Sequence, residues 1–325
     1  MPVKRIRIAE PEENKKEHLL MNSDRILQGL SEGDPRAVAR AISLVEDGDA
    51  QADRILSSLD EFLIDKAIVL GITGPPGAGK STLTDQIISS YRAQSRRIGV
   101  IAIDPSSPVT GGAILGDRIR MMGHALDPDV VVRSMATRGR LGGLCAAAGA
   151  AVRILASSGC SPVIIETVGV GQSEIDIIRL ADITALVLAP GLGDDIQVMK
   201  AGLLEVADLL VVNKADCPGA ETLAMEMETE ARERLQKQAV GNRVCMTVAT
   251  EGKGVPEFLQ AVETVDTEYR RNGERTRRRK KSYDLEVLDW ALELIKPELS
   301  LKIKNSGLDQ KGDPRMKAAM ILKKL

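Results

Sequence analysis

The chain has 325 residues, 43% apolar and 28% charged, the composition of a folded globular protein rather than a disordered one. Aromatics are 2% and the formal net charge is -2, so neither broad base stacking nor a global basic field for nucleic acid or an anionic membrane is expected. Four scattered cysteines (Cys145, Cys160, Cys217 and Cys245) and two isolated histidines (His18 and His124) exclude a closely spaced structural zinc site and point to free thiols of a reducing compartment.

The first residues, MPVKRIRIAEPEENKK, lack the apolar core of a signal peptide, and no run approaches the roughly 18–20 apolar residues of a membrane span. A cytoplasmic protein, or the mature form of an organellar one, is expected. Residues 1–62 read as a helical extension, with apolar residues at helical spacing over Leu19–Leu30. Gly33-Asp34-Pro35 reads as a turn with a cap that opens a second helix over Arg36–Glu46.

From Lys66 the pattern changes to short apolar strands alternating with helices. The strands are predicted at Ala67–Thr73, Arg97–Asp104, Val130–Arg133, Pro162–Glu166, Ile183–Ala189, Leu209–Asn213 and Val244–Ala249. Continuous apolar strands of this kind imply an α/β domain over 63–265, with a mainly parallel sheet covered by helices on both faces. Residues 266–325 read as a helical C-terminal segment. Its basic stretch, Arg270-Arg271 and Arg275–Lys281, is expected to be a solvated helix face, with an acidic partner surface as the alternative. Leu285, Leu288, Leu292 and Ile295 form an apolar seam that either pairs two subunits or packs on the chain's own domain. Pro297 is expected to break that helix, and Asp313-Pro314 to start a short last one.

Chemistry concentrates where strands end. Gly74-Pro75-Pro76-Gly77-Ala78-Gly79-Lys80-Ser81, followed by Thr82, fits GxxxxGK[ST] between a strand and a helix. The glycines let backbone N–H groups face phosphate oxygens, and the helix N-terminus adds its positive end. Lys80 is placed to reach the β- and γ-phosphates, and the Ser81 hydroxyl to bind Mg²⁺.

Asn213-Lys214-Ala215-Asp216 has the NKxD pattern of a guanine reader. One carboxylate, Asp216, accepts from both N1–H and the 2-amino group of guanine, whereas adenine would leave it poorly paired. Asn213 is expected to brace the loop and touch the purine, with the Lys214 stem along its face. Val248-Ala249-Thr250 falls where a backbone amide would meet the guanine oxygen. Glu166-Thr167-Val168-Gly169 supplies a carboxylate for metal-bound water and, at Gly169, an N–H for the γ-phosphate; Asp is the usual residue at the carboxylate position. Asp104 and Asp117 are further candidate magnesium carboxylates. Gln172 and Arg138 are the candidates for completing hydrolysis. Two histidines so placed form no Ser-His-Asp or Cys-His centre, so the expected chemistry is phosphoryl transfer to water by positioning and charge.

The series GPPGAGKST, IAIDPSSPVTGGAILGDRIRM, SMATRGRLGGL, ETVGVGQSE and NKAD resembles the MeaB-type GTPases, relatives of the human methylmalonic aciduria type A protein, over roughly residues 30–265. The resemblance implies a G-protein chaperone of an adenosylcobalamin-dependent acyl-CoA mutase, chiefly methylmalonyl-CoA mutase, that gates cofactor delivery and protects or reactivates the mutase. It further implies GTP/GDP and Mg²⁺ as cofactors, Asp104, Asp117 and Glu166 as the magnesium and switch carboxylates, and a homodimer joined by a C-terminal arm over 266–325. Turnover is expected to be slow alone and faster with the partner. The alternatives are a GTPase metallochaperone for a nickel enzyme, disfavoured by the lack of a Cys/His cluster, and an ATP-dependent kinase linked to amino-acid transport, disfavoured by Asp216.

Overall fold

The computed structural model describes residues 12–104, 122–124, 126–136, 146–167, 173–192, 203–235, 244–306 and 313–323. Seven parallel strands form one sheet in the order β3-β2-β4-β1-β5-β6-β7. They are β1 Val69–Thr73, β2 Ile98–Asp104, β3 Val130–Ala136, β4 Val163–Thr167, β5 Ile183–Leu188, β6 Leu209–Val212 and β7 Val244–Met246. All seven expected strands are present, with ends shifted by a few residues. β1, β4 and β5 are buried at every position, as a two-faced parallel sheet requires. The largest shifts, three residues each, are at β3, which runs on to Ala136, and at β7, which stops at Met246. At β7, Thr247 N–H still reaches Val212 O, but Val248 turns to bridge Lys253 and the strand stops.

The helices are α1 Glu12–Glu32, α2 Pro35–Glu46, α3 Ala52–Ser57, α4 Glu61–Lys66, α5 Lys80–Ala93 and α6 Ala146–Ser157. They continue with α7 Ser173–Leu180, α8 Ala220–Leu235, α9 Val255–Asn272, α10 Glu274–Asn305 and α11 Pro314–Leu322. One sheet face, with Ile101, Ile103, Val163 and Ile165, packs on α2, α6 and α7. The other, with Leu70, Ile72, Val100 and Ile164, packs on Leu83 and Ile87 of α5 and on Phe258 and Val262 of α9. Leu186, Leu188, Leu210 and Val212 bury against Leu223 and Met227 of α8.

The amino-terminal helices shield an edge. Asp34 caps α2 by accepting from Arg36 N–H, and Pro35 sits at the first turn, where its missing N–H costs nothing. Arg133 of the edge strand β3 donates to Ser43 Oγ and pairs with Glu46, so α2 lies beside an edge that would otherwise be free to pair.

Two expectations fail at the carboxyl end. Only one side of the basic stretch is a solvated face, with Arg271, Arg277, Lys280 and Lys281 exposed. Arg275, Arg278 and Arg279 turn inward and clasp the amino-terminal ends of the strands. Asp182, 2% exposed, accepts from Val69 N–H at 2.9 Å and from Arg279 Nε and Nη2 at 2.7 Å each. Asp208, 3% exposed, accepts from Thr184 N–H, from the Tyr269 hydroxyl and from both terminal nitrogens of Arg278. Burial works against the Arg278 charge. The Asp208 hydrogen bonds and charge outweigh it, so the guanidinium pKa stands above its ordinary value. Arg275 donates to Asp266 and to the carbonyls of Asp65 and Ala67. The fork-shaped donor fits two strand-capping aspartates that the sequence does not mark as partners.

Pro297 does not end α10, which runs through it to Asn305. The proline costs one ladder bond and about 3 kcal/mol, but it lies on an exposed stretch, and leucine, glutamate and lysine on both sides favour helix. Of the apolar seam, Leu288 and Leu292 are more than half exposed.

Candidate nucleotide-binding site

β1 lies at the sheet's centre, and the chain fills the sheet on one side with β2 to β4 and on the other with β5 to β7. Ligands in such folds sit at the carboxyl ends of the strands, where the order diverges. The GPPGAGKS loop leaves β1 at that point and enters α5.

Its glycines have distinct reasons to be there. A Cβ on Gly74 would stand 2.1 Å from Val187 O, so the loop lies directly against β5. Gly79 has φ +87, and a Cβ there would stand 2.3 Å from Asn213 Nδ2. Gly77 has φ +79 with nothing nearer than Leu192 at 3.8 Å, so its backbone borders open space. Lys80, 6% exposed, folds its amine across the loop and donates to Gly74 O at 2.8 Å and Pro75 O at 3.0 Å. Thr84 Oγ1 donates to Lys80 O and steadies the first turn.

One residue further, Ser81 Oγ donates to Glu166 Oε1 at 2.6 Å, with both residues more than nine-tenths buried. Glu166 stands on β4, level with Ile72 of β1, so the strand register delivers its carboxylate to the start of α5. Two hard oxygen donors meeting beside an ammonium and a glycine loop are suited to Mg²⁺ and a polyphosphate. The longer glutamate in place of aspartate still reaches the serine.

The base loop is tied to this corner by a single side chain. Asn213, 2% exposed, donates from Nδ2 to Ala78 O at 2.9 Å and accepts at Oδ1 from Thr247 Oγ1 and Ala249 N–H, both at 3.1 Å. Lys214 takes φ +55, which turns the chain sharply, and Ala215 N–H bonds Thr247 O. Lys214, Asp216 and Thr250 are exposed; Val248 is half-buried and Ala249 buried. The expected brace at Asn213 is there, and within the Val248–Thr250 loop expected to offer a backbone amide to the guanine oxygen, the Ala249 amide is engaged by Asn213 Oδ1. Thr247 went unnoticed in the sequence: a buried threonine one residue past a strand carries no motif.

Asp104 is the last residue of β2, paired with Ala136. Its neighbours Ala102 and Ile103 lie level with Glu166 and Thr167, which brings its backbone to the same edge. The Asp104 side chain, Asp117, Arg138, Gly169 and Gln172 lie outside the described residues. A separate cavity of about 610 Å³ lies at the opposite, amino-terminal end of the sheet, between α4, α6 and α10. Its guanidinium groups are held by carboxylates, Arg153 by Glu286, Arg270 by Asp266 and Arg279 by Asp182, so it is not the phosphate site.

A protein of Pyrococcus horikoshii described as a GTPase is 44% identical over 314 residues, covering 93% of this chain and 98% of its own. The mouse mitochondrial methylmalonic aciduria type A homolog is 30% identical over 293 residues, covering 84% of this chain and 69% of its own. The crystal structure of an LAO/AO transport system kinase superposes with a TM-score of 0.63 over 93% of this chain and 97% of that one; at 24% identity it speaks for the fold alone. The family model described as methylmalonyl Co-A mutase-associated GTPase MeaB matches residues 38–306, and the chain belongs to that GTPase family.

Proposed function

We propose that the protein is a Mg²⁺-dependent GTPase that serves as a G-protein chaperone of an adenosylcobalamin-dependent acyl-CoA mutase, with methylmalonyl-CoA mutase as the first candidate. The family's description and that of the mouse relative support the partner. The observation that carries the nucleotide reading is the Asn213 bridge, which holds an NKxD turn and a phosphate loop as one rigid surface.

In this reading the backbone of Gly74–Thr82 cradles the phosphates, and Lys80 leaves the Gly74 and Pro75 carbonyls for their β- and γ-oxygens. Asp216 reads the guanine edge, Asn213 and Lys214 shape its pocket, and Val248–Thr250 closes it. Ser81 and Glu166 hold the metal with Asp104 and Asp117, and Gly169 meets the γ-phosphate. Bound Mg²⁺ supplies charge neutralisation between the phosphates. Gln172 orients water, and slow intrinsic turnover leaves room for the partner to complete the site.

The organisation goes with the role. Residues 1–62 form an extension, 63–265 the nucleotide domain, and 266–325 an arm that joins two copies. The half-exposed Leu288, Leu292, Leu301 and Ile303 on α10 suit that arm. A cytoplasmic location accompanies this reading.

The test is GTP hydrolysis with Mg²⁺, alone and with purified methylmalonyl-CoA mutase, with ATP in parallel. Slow GTP turnover accelerated by the mutase is the expected result. GTP turnover indifferent to the mutase would remove that partner, and preferential ATP turnover would remove the base assignment.

A further inference from the structure

The cavity of about 610 Å³ at the amino-terminal end of the sheet takes no part in the nucleotide reading. Val69, the first residue of β1, lines it, whereas the phosphate loop leaves the other end of that strand. Its walls are held apart by fixed contacts. α6 meets α10 at Gly149, where a Cβ would stand 2.5 Å from Glu286 Oε2, and Arg153 pairs with Glu286 at the same joint. Arg279 Nη2 donates to Asp182 at 2.7 Å and its Nη1 to Ile64 O at 3.0 Å, which ties α10 to α4. A space framed in this way is preformed, and its size falls within the roughly 300–1,000 Å³ of small-molecule pockets.

The lining divides into two parts. Ile64 of α4, Val152 and Ala156 of α6, and Leu180 of α7 supply an aliphatic floor. α10 supplies a polar rim, where Thr276, Lys280 and Tyr283 follow at i, i+4 and i+7 on one helix face, all three exposed. Among the described residues, none of these three side chains has a hydrogen-bond or ion-pair partner. The five lining arginines are already engaged: Arg153 by Glu286, Arg270 and Arg275 by Asp266, Arg278 by Asp208 and Arg279 by Asp182. Lys280 is thus the lining cation left over for a ligand. α4 adds the exposed carboxylates of Glu61 and Asp65. A phosphate dianion would meet those carboxylates with one ammonium and no free guanidinium fork to hold it, whereas a single negative charge suits one ammonium and two hydroxyls.

We propose that this cavity is a second ligand site, for an aliphatic monocarboxylate. The carboxylate meets Lys280, Thr276 and Tyr283 at the rim, and the hydrocarbon chain lies on Ile64, Val152, Ala156 and Leu180. The head stays partly in water, so its charge costs little to place, and the exposed ammonium fixes orientation more than it adds affinity. Affinity comes from the chain. Each CH₂ withdrawn from water tightens binding by about two- to fourfold until the floor is covered. The site is independent of the nucleotide reading, since the two share no residue.

The test is calorimetric titration of the full chain with hexanoate, octanoate, octan-1-ol and octyl phosphate. One saturable site for octanoate is expected, with hexanoate bound about fivefold or more weakly. Lys280→Glu should weaken octanoate by about fivefold or more and leave octan-1-ol within about twofold. Lys280 is exposed, so that variant keeps its fold. Val152→Phe fills the floor and should weaken acid and alcohol alike, with a thermal melt to show that it is folded. Absence of saturable octanoate binding would overturn the proposal, as would octanoate binding untouched by Lys280→Glu or by a folded Val152→Phe protein. Octyl phosphate bound more tightly than octanoate would overturn the monocarboxylate assignment.

Discussion

Replacing Asn213 by alanine tests the central joint of the site. The side chain is 2% exposed and makes three hydrogen bonds, to Ala78 O, Thr247 Oγ1 and Ala249 N–H. The substitution orphans a carbonyl and an amide on residues that are themselves 0% and 3% exposed. Each buried unpaired group costs about 1–3 kcal/mol, and water entering the polar gap offsets part of this, leaving about 2–4 kcal/mol. Because Asn213 ties the base turn to the phosphate loop, most of that loss should fall on the bound geometry. GTP affinity should drop by on the order of 10²-fold, with GDP affinity falling equally, since the tether is present in either state. Asn213→Asp separates the two halves of the joint. It keeps an acceptor for Thr247 and Ala249 but sets a carboxylate against Ala78 O, so it should weaken binding too. The assay is titration with a fluorescent guanine nucleotide, with a thermal melt to show that the fold survives. A folded Asn213→Ala protein that binds GTP within about threefold of the wild type would refute the tether.

Lys80→Ala should abolish nucleotide binding or turnover; GTPase activity unchanged from the wild type would remove the loop from the site. Asp216→Asn should shift preference toward xanthine nucleotides, because the amide offers a donor where xanthine has an acceptor, and competition titration with both triphosphates reads this directly. Arg279→Met should leave Asp182 with the Val69 N–H and, for charge, only Arg275 at 3.6 Å among the described residues, at a cost of about 3 kcal/mol and a fall of about 4–5 °C in the melting temperature. An unchanged melting temperature would show the clasp to be dispensable. Burial pushes the Tyr91 hydroxyl from 10.0 up to about 12, and its oxygen has no hydrogen-bond partner among the described residues. The folded state therefore disfavours the phenolate. Stability from this group is complete below pH 10 and is lost as pH rises through 12, by about 2–3 kcal/mol. Tyr91→Phe should leave stability at neutral pH unchanged or higher and flatten that alkaline loss in denaturant titrations; a marked loss at neutral pH would show that the hydroxyl has a partner.

The sheet was legible because each parallel strand must be apolar on both faces, so β1, β4 and β5 stand out as continuous runs between polar turns. The phosphate loop and the NKAD turn were legible for a related reason: binding phosphate by backbone needs glycines at fixed spacing, and reading guanine needs a carboxylate just past a strand. Asp34 and Asp313 announced their helices because a cap and a proline act within one turn. The arginine clasp was misread because charge along a sequence does not say which way a helix faces. Asp182 and Asp208, its partners, lie some 70 to 100 residues away and look like ordinary loop acids. Pro297 was misread because a local penalty of about 3 kcal/mol yields to the helix on both sides.

The sequence by itself determined the α/β class, the strand order's raw material and the two motifs, since these depend on contacts within a few residues. Only the tertiary structure decided that Asn213 joins those motifs, that Glu166 reaches Ser81, and that a basic run becomes the buried root of α10. Each of those depends on side chains brought together across the sheet, where burial strips away water and makes every unpaired charge or carbonyl costly enough to select its partner.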